Sequence, residues 1–448
     1  MNAIYDMVGI GFGPSNLALA AIVDEQQTDN ISAIFLEKKS DFNWHANMLL
    51  DGAEMQISFL KDIATLRNPS SPFTFLNYLH NVGRLDLFTN LRNFYPSRIE
   101  FNDYFRWVAD QLKKYVKYSC DVIDIIPYEG DPHNVLEIIY QECDAENNVI
   151  VSSLLARNII VATGGEAKIP QNVKINTDSQ RIWHASHYLE KINQYKSSAN
   201  HKYHFCVIGS GQSAAEITYD LHQSFPSSTV MCMYSGFGLK VSDDSEFINE
   251  LFLPASVDLF YKASEDIRKK INEAHRDTNY AVVDAELIQK LYRIKYEETV
   301  TGKQRLQFNR FSTIESVTET DLDVEIEFTN SLAKSMLNHL HVDALILATG
   351  YTHSIPPFVL RNLVEYFRLT PSGLPSVTRH HQIETVSQFK AGIFLQGYNQ
   401  HSHGLSDTLL SVSSIRAKDI FDQIVYKDKG KDKIYQVENR KVGMSLTA

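Results

Sequence analysis

Two short runs in this chain have the residue types and spacing to hold a phosphate anion: Gly11-Phe12-Gly13-Pro14-Ser15-Asn16 and Gly209-Ser210-Gly211-Gln212-Ser213-Ala214. Glycines let the backbone turn sharply and approach a pyrophosphate, whose charge then rests on the free amides that open the following helix. Each run has the neighbours this requires. The apolar, strand-like stretches Ile4 to Ile10 and His204 to Ile208 precede them, and Leu17-Ala18-Leu19-Ala20 and Ala214-Ala215-Glu216-Ile217 start helix-like stretches. Neither keeps the third glycine of the fingerprint, since Asn16 and Ala214 stand there. The chain reads as built to hold two dinucleotides.

Glu37, followed by Lys38, ends the apolar run Ile34-Phe35-Leu36 where an acid hydrogen-bonds the ribose of the first nucleotide, roughly 20 or more residues beyond the glycines. After the second turn, Thr229 to Tyr234 ends in Ser235, with neither an acid to repel a 2′-phosphate nor an arginine to select it. Lys240 is the nearest cation. The pattern is compatible with NADPH and predicts tolerance of NADH.

Such turns need parallel strands and crossover helices to position them. The predicted class is α/β, with two Rossmann-like dinucleotide-binding domains and a small helical insert. Asn158 to Gly165 and Ala344 to Tyr351, the latter ending Thr349-Gly350-Tyr351, are buried strands that run into small-residue turns and close the two units. Apolar residues at helical spacing from about Asp243 to Thr301 mark the insert. The polar stretch from Gly165 to His204 reads as a crossover. A strand from Gly392 to Gln396 and a helix from Asp407 to Tyr426 complete the first unit. The division is therefore 1–170 and 353–426 for an FAD-binding unit, 171–245 and 305–352 for an NADPH-binding unit, 246–304 for the insert, and 427–448 for a polar tail.

The bulk numbers narrow the function classes. In 448 residues, 54 acids against 43 bases leave a net charge of −11, which argues against nucleic acid as a partner. No run approaches the ~20 apolar residues of a membrane span, and the N-terminus enters a strand without a basic leader, so the expectation is a cytoplasmic protein. Cys120, Cys143, Cys206 and Cys232 are widely spaced, which removes the Cys-x-x-Cys disulfide reductases and fits a reducing compartment. His380-His381 and His401-Ser402-His403 lack sequence companions for a metal, and none is expected.

Two dinucleotides in one enzyme usually carry electrons from nicotinamide to flavin, and further motifs suggest what receives them. Met55 to Asp62, Arg67 to Leu79, Asp243 to Glu250, Thr278-Asn279-Tyr280 and His403 to Ser411 resemble the flavin-dependent N-hydroxylating monooxygenases of siderophore biosynthesis. Within that family they look most like the L-ornithine N5-monooxygenases, and the resemblance runs from the first glycine turn to about Arg416.

The resemblance implies FAD and NADPH as cofactors and a C4a-hydroperoxyflavin that passes oxygen to the substrate's terminal amine. NADP⁺ stays bound and water is excluded. It assigns Lys61 to the substrate carboxylate, Asn249 to the carboxylate and α-amino end, Asn279 to the reacting amine and nicotinamide ribose, and Ser411 to the neighbourhood of the amine. Gln56 falls beside the flavin's reactive edge, Trp44 and His45 line the flavin, and Asp407 with Leu409 begins the last helix beside it, Asp407 as a cap. The related enzymes carry an arginine where this chain has Ser235. L-Lysine, putrescine and cadaverine are the competing amines. An uncoupled NAD(P)H oxidase and a non-catalytic nucleotide sensor are the competing classes. The expected partners are the amine and O₂, with a homotetramer by resemblance.

Overall fold

Met7–Ile10, the strand before the first glycine turn, lies at the centre of a five-stranded parallel sheet ordered Gly392–Leu395, Asn158–Val161, Met7–Ile10, Ala33–Leu36 and Val116–Lys117. Near-continuous apolar strands of this kind are covered on both faces. On one face the helices Pro14–Gln26, Arg98–Gln111 and Ser413–Lys427 enclose a core of Leu17, Phe101, Phe105, Ile420 and Phe421. On the other, Ile125, Ile138, Val359 and Phe389 meet Val8, Ile159 and Ile393. The computed structural model describes residues 3–26, 31–143, 148–176, 178–332 and 336–427, so the expected polar tail lies almost wholly outside the described residues.

A second five-stranded parallel sheet is ordered Ile182–His184, Ala344–Leu347, His204–Ile208, Thr229–Met233 and Leu306–Asn309. Helix Gln212–Ser224 lies on it, and Ala214, Ile217 and Leu221 fill the interface. The helices Glu246–Asn249, Pro254–Lys262, Glu265–Ala274 and Ala285–Thr301 lie between its fourth and fifth strands in the chain. Just before them Lys240–Val241 pairs in parallel with Val282–Val283, which lies in the stretch expected to be helical.

Four features depart from the sequence reading. Ile4–Tyr5 does not continue into Met7–Ile10 but pairs with Leu155–Ala156, because the Asp6 carboxylate turns aside to accept hydrogen bonds from Ser32 N and Oγ. The expected crossover from Gly165 to His204 contains the edge strand Ile182–His184 and the helix Tyr188–Lys196. Two further sheets were not foreseen: a mixed one, in which Ile4–Tyr5 runs parallel to Val149–Ala156 while Val149–Ala156, Leu136–Cys143 and Asp121–Pro127 pair antiparallel, and an antiparallel one of Ser312–Glu319, Val324–Asn330 and Leu337–Val342. The last helix is Ser413–Lys427, after separate single turns at Leu405–Thr408 and Leu410–Val412, since Leu409 is extended at φ −107 and ψ 162.

The two units meet along a short antiparallel pairing of Glu166–Ala167 with Tyr351–Thr352, each just past the small-residue turn that ends a closing strand. Among the described residues no helix is long and apolar enough to cross a membrane.

Candidate active site

At the first turn, Gly11 has φ +83 and a Cβ there would lie 2.6 Å from Ala162 O, so only glycine fits. A Cβ on Gly13 would meet nothing within 4 Å, which leaves the backbone open to a ligand. Pro14 begins the helix without an acid in its first turn, an arrangement suited to an anion. Asn16, at the place of the third glycine, is fully buried. Its Nδ2 donates to Gly11 O at 2.7 Å, and its Oδ1 accepts from Gln396 Nε2 at 2.9 Å. Gln396 Oε1 accepts from Arg416 Nε at 3.1 Å, and Arg416 Nη2 donates to Ser15 Oγ at 2.9 Å. The C-terminal helix is thus tied directly to the first turn. Glu37 accepts from Phe12 N at 2.6 Å and Lys39 N at 3.0 Å, which fixes it beside the turn.

At the second turn a Cβ on Gly209 would come within 2.3 Å of Ala348 O. Gly211 faces Ala281, whose Cα would lie 3.5 Å from an added Cβ, so the Thr278–Ala281 loop lies over this turn. Ser213 is half-buried in the first turn of the helix, and Ala214 is fully buried with its carbonyl accepting from Thr218 Oγ1. Gln212 ties its helix to the insert. Its Nε2 donates to Asp284 Oδ2 at 2.8 Å and to Glu216 Oε1 at 2.9 Å, while its Oε1 accepts from Asp284 N. Asp284 Oδ1 accepts from Gln56 Nε2 at 2.9 Å, and Glu216 pairs bidentately with Arg98 at 2.7 and 2.9 Å. Sequence reading singled out Gln56 and Gln212 but missed Arg98, Glu216 and Asp284. A buried Glu in an alanine-rich helix was the available signal, because such a group needs a partner.

The residues assigned to the amine approach one another around the segment Leu405–Val412. The turn Phe59–Lys61 packs against Leu410–Val412, which carries buried Ser411. The turn Glu250–Phe252, directly after Asn249, packs against Leu405–Thr408. Tyr280 Oη lies 3.1 Å from Thr408 Oγ1, which brings the Asn279 loop to the same place. Lys61 is half-buried and forms no ion pair among the described residues, and desolvation holds its pKa below the usual range. Asn249 Nδ2 donates to Asp244 O at 2.6 Å.

Several other assigned residues sit differently. Lys38 is exposed and paired with Asp121 at 2.8 Å, away from the turn. Lys240 pairs with Asp277 at 2.9 Å, both side chains largely exposed. Trp44 stacks edge-on against Phe105 and His45, with centroids 5.3 and 5.1 Å apart. His45 is exposed to solvent. Its ring faces Tyr351 at 6.1 Å. Thr349 Oγ1 donates to Lys168 O, and Gly350 O accepts from His184 Nε2 at 3.0 Å, so this turn braces the junction between the units.

Asp407 does not cap the last helix. Its buried side chain accepts from Asn399 N at 2.7 Å and lies 3.6 Å from Arg416 Nη1, turned into the fold and away from Ser413. Half-buried Leu409 supplies the extended link between the two single turns. The two histidine pairs also converge, contrary to their separation in sequence. His381 and His403 stack at 4.1 Å beside Asp407, whose Oδ1 is 3.6 Å from His381 Nδ1. Desolvation drives His403 down to about 3, and both its ring nitrogens have protein partners, Ser402 Oγ and Arg379 O.

Residues 3–353 match the family model described as L-lysine 6-monooxygenase/L-ornithine 5-monooxygenase. The chain is 39% identical over 420 residues to the L-ornithine N(5)-monooxygenase of Pseudomonas aeruginosa, covering 93% of each. It is similar to the solved structure of the Kutzneria sp. 744 ornithine N-hydroxylase with reduced FAD, NADP⁺ and L-ornithine, at TM-score 0.89 and 35% identity over 95% of this chain and 100% of that one. The L-lysine 6-monooxygenase of Pseudomonas syringae aligns with TM-score 0.78 and 28% identity over 94% of this chain and 99% of that one. The chain belongs to the L-lysine 6-monooxygenase/L-ornithine 5-monooxygenase family of flavin-dependent N-hydroxylating enzymes.

Proposed function

We propose that this protein hydroxylates the terminal amine of L-ornithine with FAD, NADPH and O₂, supplying an N-hydroxyl amine for a hydroxamate siderophore. The observation that carries the reading is that the turns bearing Lys61 and Ser411 pack together, with the Asn249 and Asn279 segments joined to the same stretch. The two cradles fit the two dinucleotides, because Gly13 is open above a helix start and Gly211 lies beneath the Asn279 loop.

Bound FAD, reduced by NADPH, would activate O₂, one of whose oxygen atoms goes to the amine nitrogen and the other to water. The chain's own residues hold the amine for it. Lys61 keeps an unpaired ammonium in a half-buried site, where a substrate carboxylate neutralises it. Asn249, held through Nδ2, leaves Oδ1 for the α-ammonium. The Asn279 carbonyl and Ser411 orient the amine, and Gln56, fixed by Asp284, borders the flavin edge. Positioning and water exclusion do the work, and no nucleophile is required.

A diamine would bring an ammonium where Lys61 expects a carboxylate, and such like-charge contact opposes binding. L-Lysine differs by one methylene, worth only ~1–3 kcal/mol of discrimination. The identities of 35–39% to ornithine enzymes and 28% to a lysine enzyme favour ornithine. A cytoplasmic homo-oligomer, tetrameric by family resemblance, belongs to the same proposal; light scattering that returns a monomer would remove that part.

The test is hydroxylamine formed per NADPH consumed, with FAD supplied, on L-ornithine, L-lysine, putrescine and cadaverine in parallel. Coupled product from ornithine is expected. Product mainly from a diamine would overturn the pocket assignment, and NADPH oxidation without product from any amine would make the protein an oxidase.

A further inference from the structure

The strand that ends in Ser235 brings no arginine of its own to a 2′-phosphate, but its neighbour in the sheet does. Met233 pairs with Asn309, so the chain leaves the two strands side by side, about 4.8 Å apart, as Tyr234-Ser235 and as Arg310. All five strands of this sheet are parallel, so both exits lie on the edge that carries the Gly209 turn, where a dinucleotide's adenosine is read. Backbone hydrogen bonds fix the juxtaposition: Tyr234 N donates to Asn309 O at 3.1 Å, Phe311 N to Gly236 O at 3.2 Å, and Ser312 N to Tyr234 O at 3.0 Å.

Arg310 itself is held ready. Its guanidinium carbon lies 4.7 Å from the centroid of Phe237, a ring 70% exposed. It forms no ion pair among the described residues, in contrast to Lys240. The next residue, Phe311, holds φ 55, in the left-handed region.

We propose that Arg310 grips the 2′-phosphate of NADPH, supplying from the adjacent strand the selectivity that Ser235 lacks, with Phe237 as the platform that orients the guanidinium. The assignment rests on the NADPH dependence proposed above. It reverses the expectation of NADH tolerance drawn from Ser235 alone. A planar guanidinium over an exposed ring offers a phosphomonoester two parallel N–H donors, and NADH presents only a hydroxyl in their place.

The experiment compares kcat/KM for NADPH and NADH in FAD-loaded wild type, Arg310→Gln and Arg310→Lys, with binding of adenosine 2′,5′-bisphosphate and 5′-AMP as a second readout. Arg310→Gln should lose about 10- to 100-fold in kcat/KM for NADPH, mainly through KM, with the NADH value unchanged. Arg310→Lys should recover part of the loss as a point charge. The bisphosphate should bind wild type more tightly than 5′-AMP, and the variant should bind both alike. An equal fall for both coenzymes, or no fall for either, would overturn the assignment; so would wild type that uses NADH as well as NADPH. Failure of both coenzymes to reduce the flavin would instead overturn the proposed function, while the bisphosphate comparison would still decide Arg310.

Discussion

Lys61 and Asn16 show how single side chains decide the site. A carboxylate held equally in ground and transition states contributes to KM and not to kcat. Lys61→Ala should therefore raise KM for L-ornithine about 10- to 100-fold with kcat changed less than about threefold, since hydrogen bonds to charged groups contribute about 1.5–3 kcal/mol. Steady-state kinetics check this, and an unchanged KM would remove Lys61 from the carboxylate. Asn16 occupies the third glycine place without harm because its amide satisfies Gly11 O and Gln396. Asn16→Gly would match the fingerprint better and yet leave Gln396 Nε2 buried and unpaired. We expect a loss of about 1–3 kcal/mol, read as a lower Tm of the FAD-loaded enzyme. A Tm equal to or above wild type would refute this account.

Among the elements, the first nucleotide helix is anchored at its far end as firmly as at the turn. Glu25, in Pro14–Gln26, accepts two hydrogen bonds from Arg67 at 2.7 Å and one from Ser71 at 2.6 Å, with side chains only 9% and 5% exposed for Glu25 and Arg67. Burial alone would raise its pKa, but hydrogen bonds from Arg67 and Ser71 outweigh it and hold the carboxyl below its ordinary 4.5. A lowered folded pKa stabilises the protein above 4.5, and the contribution is lost as pH falls through the folded value. Glu25→Gln should cost about 3–5 kcal/mol near neutral pH because it strands buried Arg67. Its stability gap to wild type should narrow between neutral pH and a pH well below 4.5, where wild type protonates Glu25 and loses the same ion pair. Denaturant titrations that show the same gap at both pH values would contradict it.

Across the whole molecule, a polar chain from Arg98 through Glu216, Gln212 and Asp284 to Gln56 joins the first unit, the second unit and the start of helix Ala285–Thr301. Arg98 and Glu216 are 13% and 6% exposed, so removing one leaves the other charged and dry. Glu216→Gln should lower Tm and also lower hydroxylamine yield per NADPH, because Gln56 and Gln212 lose the frame that ties the two units together. A lowered Tm with coupling intact would restrict the network to stability. A second whole-molecule expectation concerns pH: the amine must react neutral although its free pKa is near ~10, so turnover should fall with decreasing pH, and a flat kcat/KM profile down to about pH 6 would exclude a simple free-amine attack.

Periodicity and turn chemistry are local properties, and the sequence by itself determined what depends on them. His204–Ile208, Asn158–Val161 and Ala344–Leu347 are strands because short apolar runs bounded by glycine turns bury both faces, and the helices at Pro14 and Gln212 start where amides must be left free. Asp6 and Asp407 misled for a common reason, since what each side chain does depends on a neighbour distant in sequence. Ser32 draws Asp6 out of the strand, Asn399 and Arg416 draw Asp407 inward, and Arg310 stands beside Ser235 only because the sheet places residues 306–309 next to 229–233. Arg416 reaches Ser15 across 401 residues, and Arg98 reaches Glu216 across 118. The tertiary structure alone decided those pairings, because a buried charge is satisfied by whichever partner the packed chain brings within hydrogen-bond reach, and no local pattern encodes which one that is.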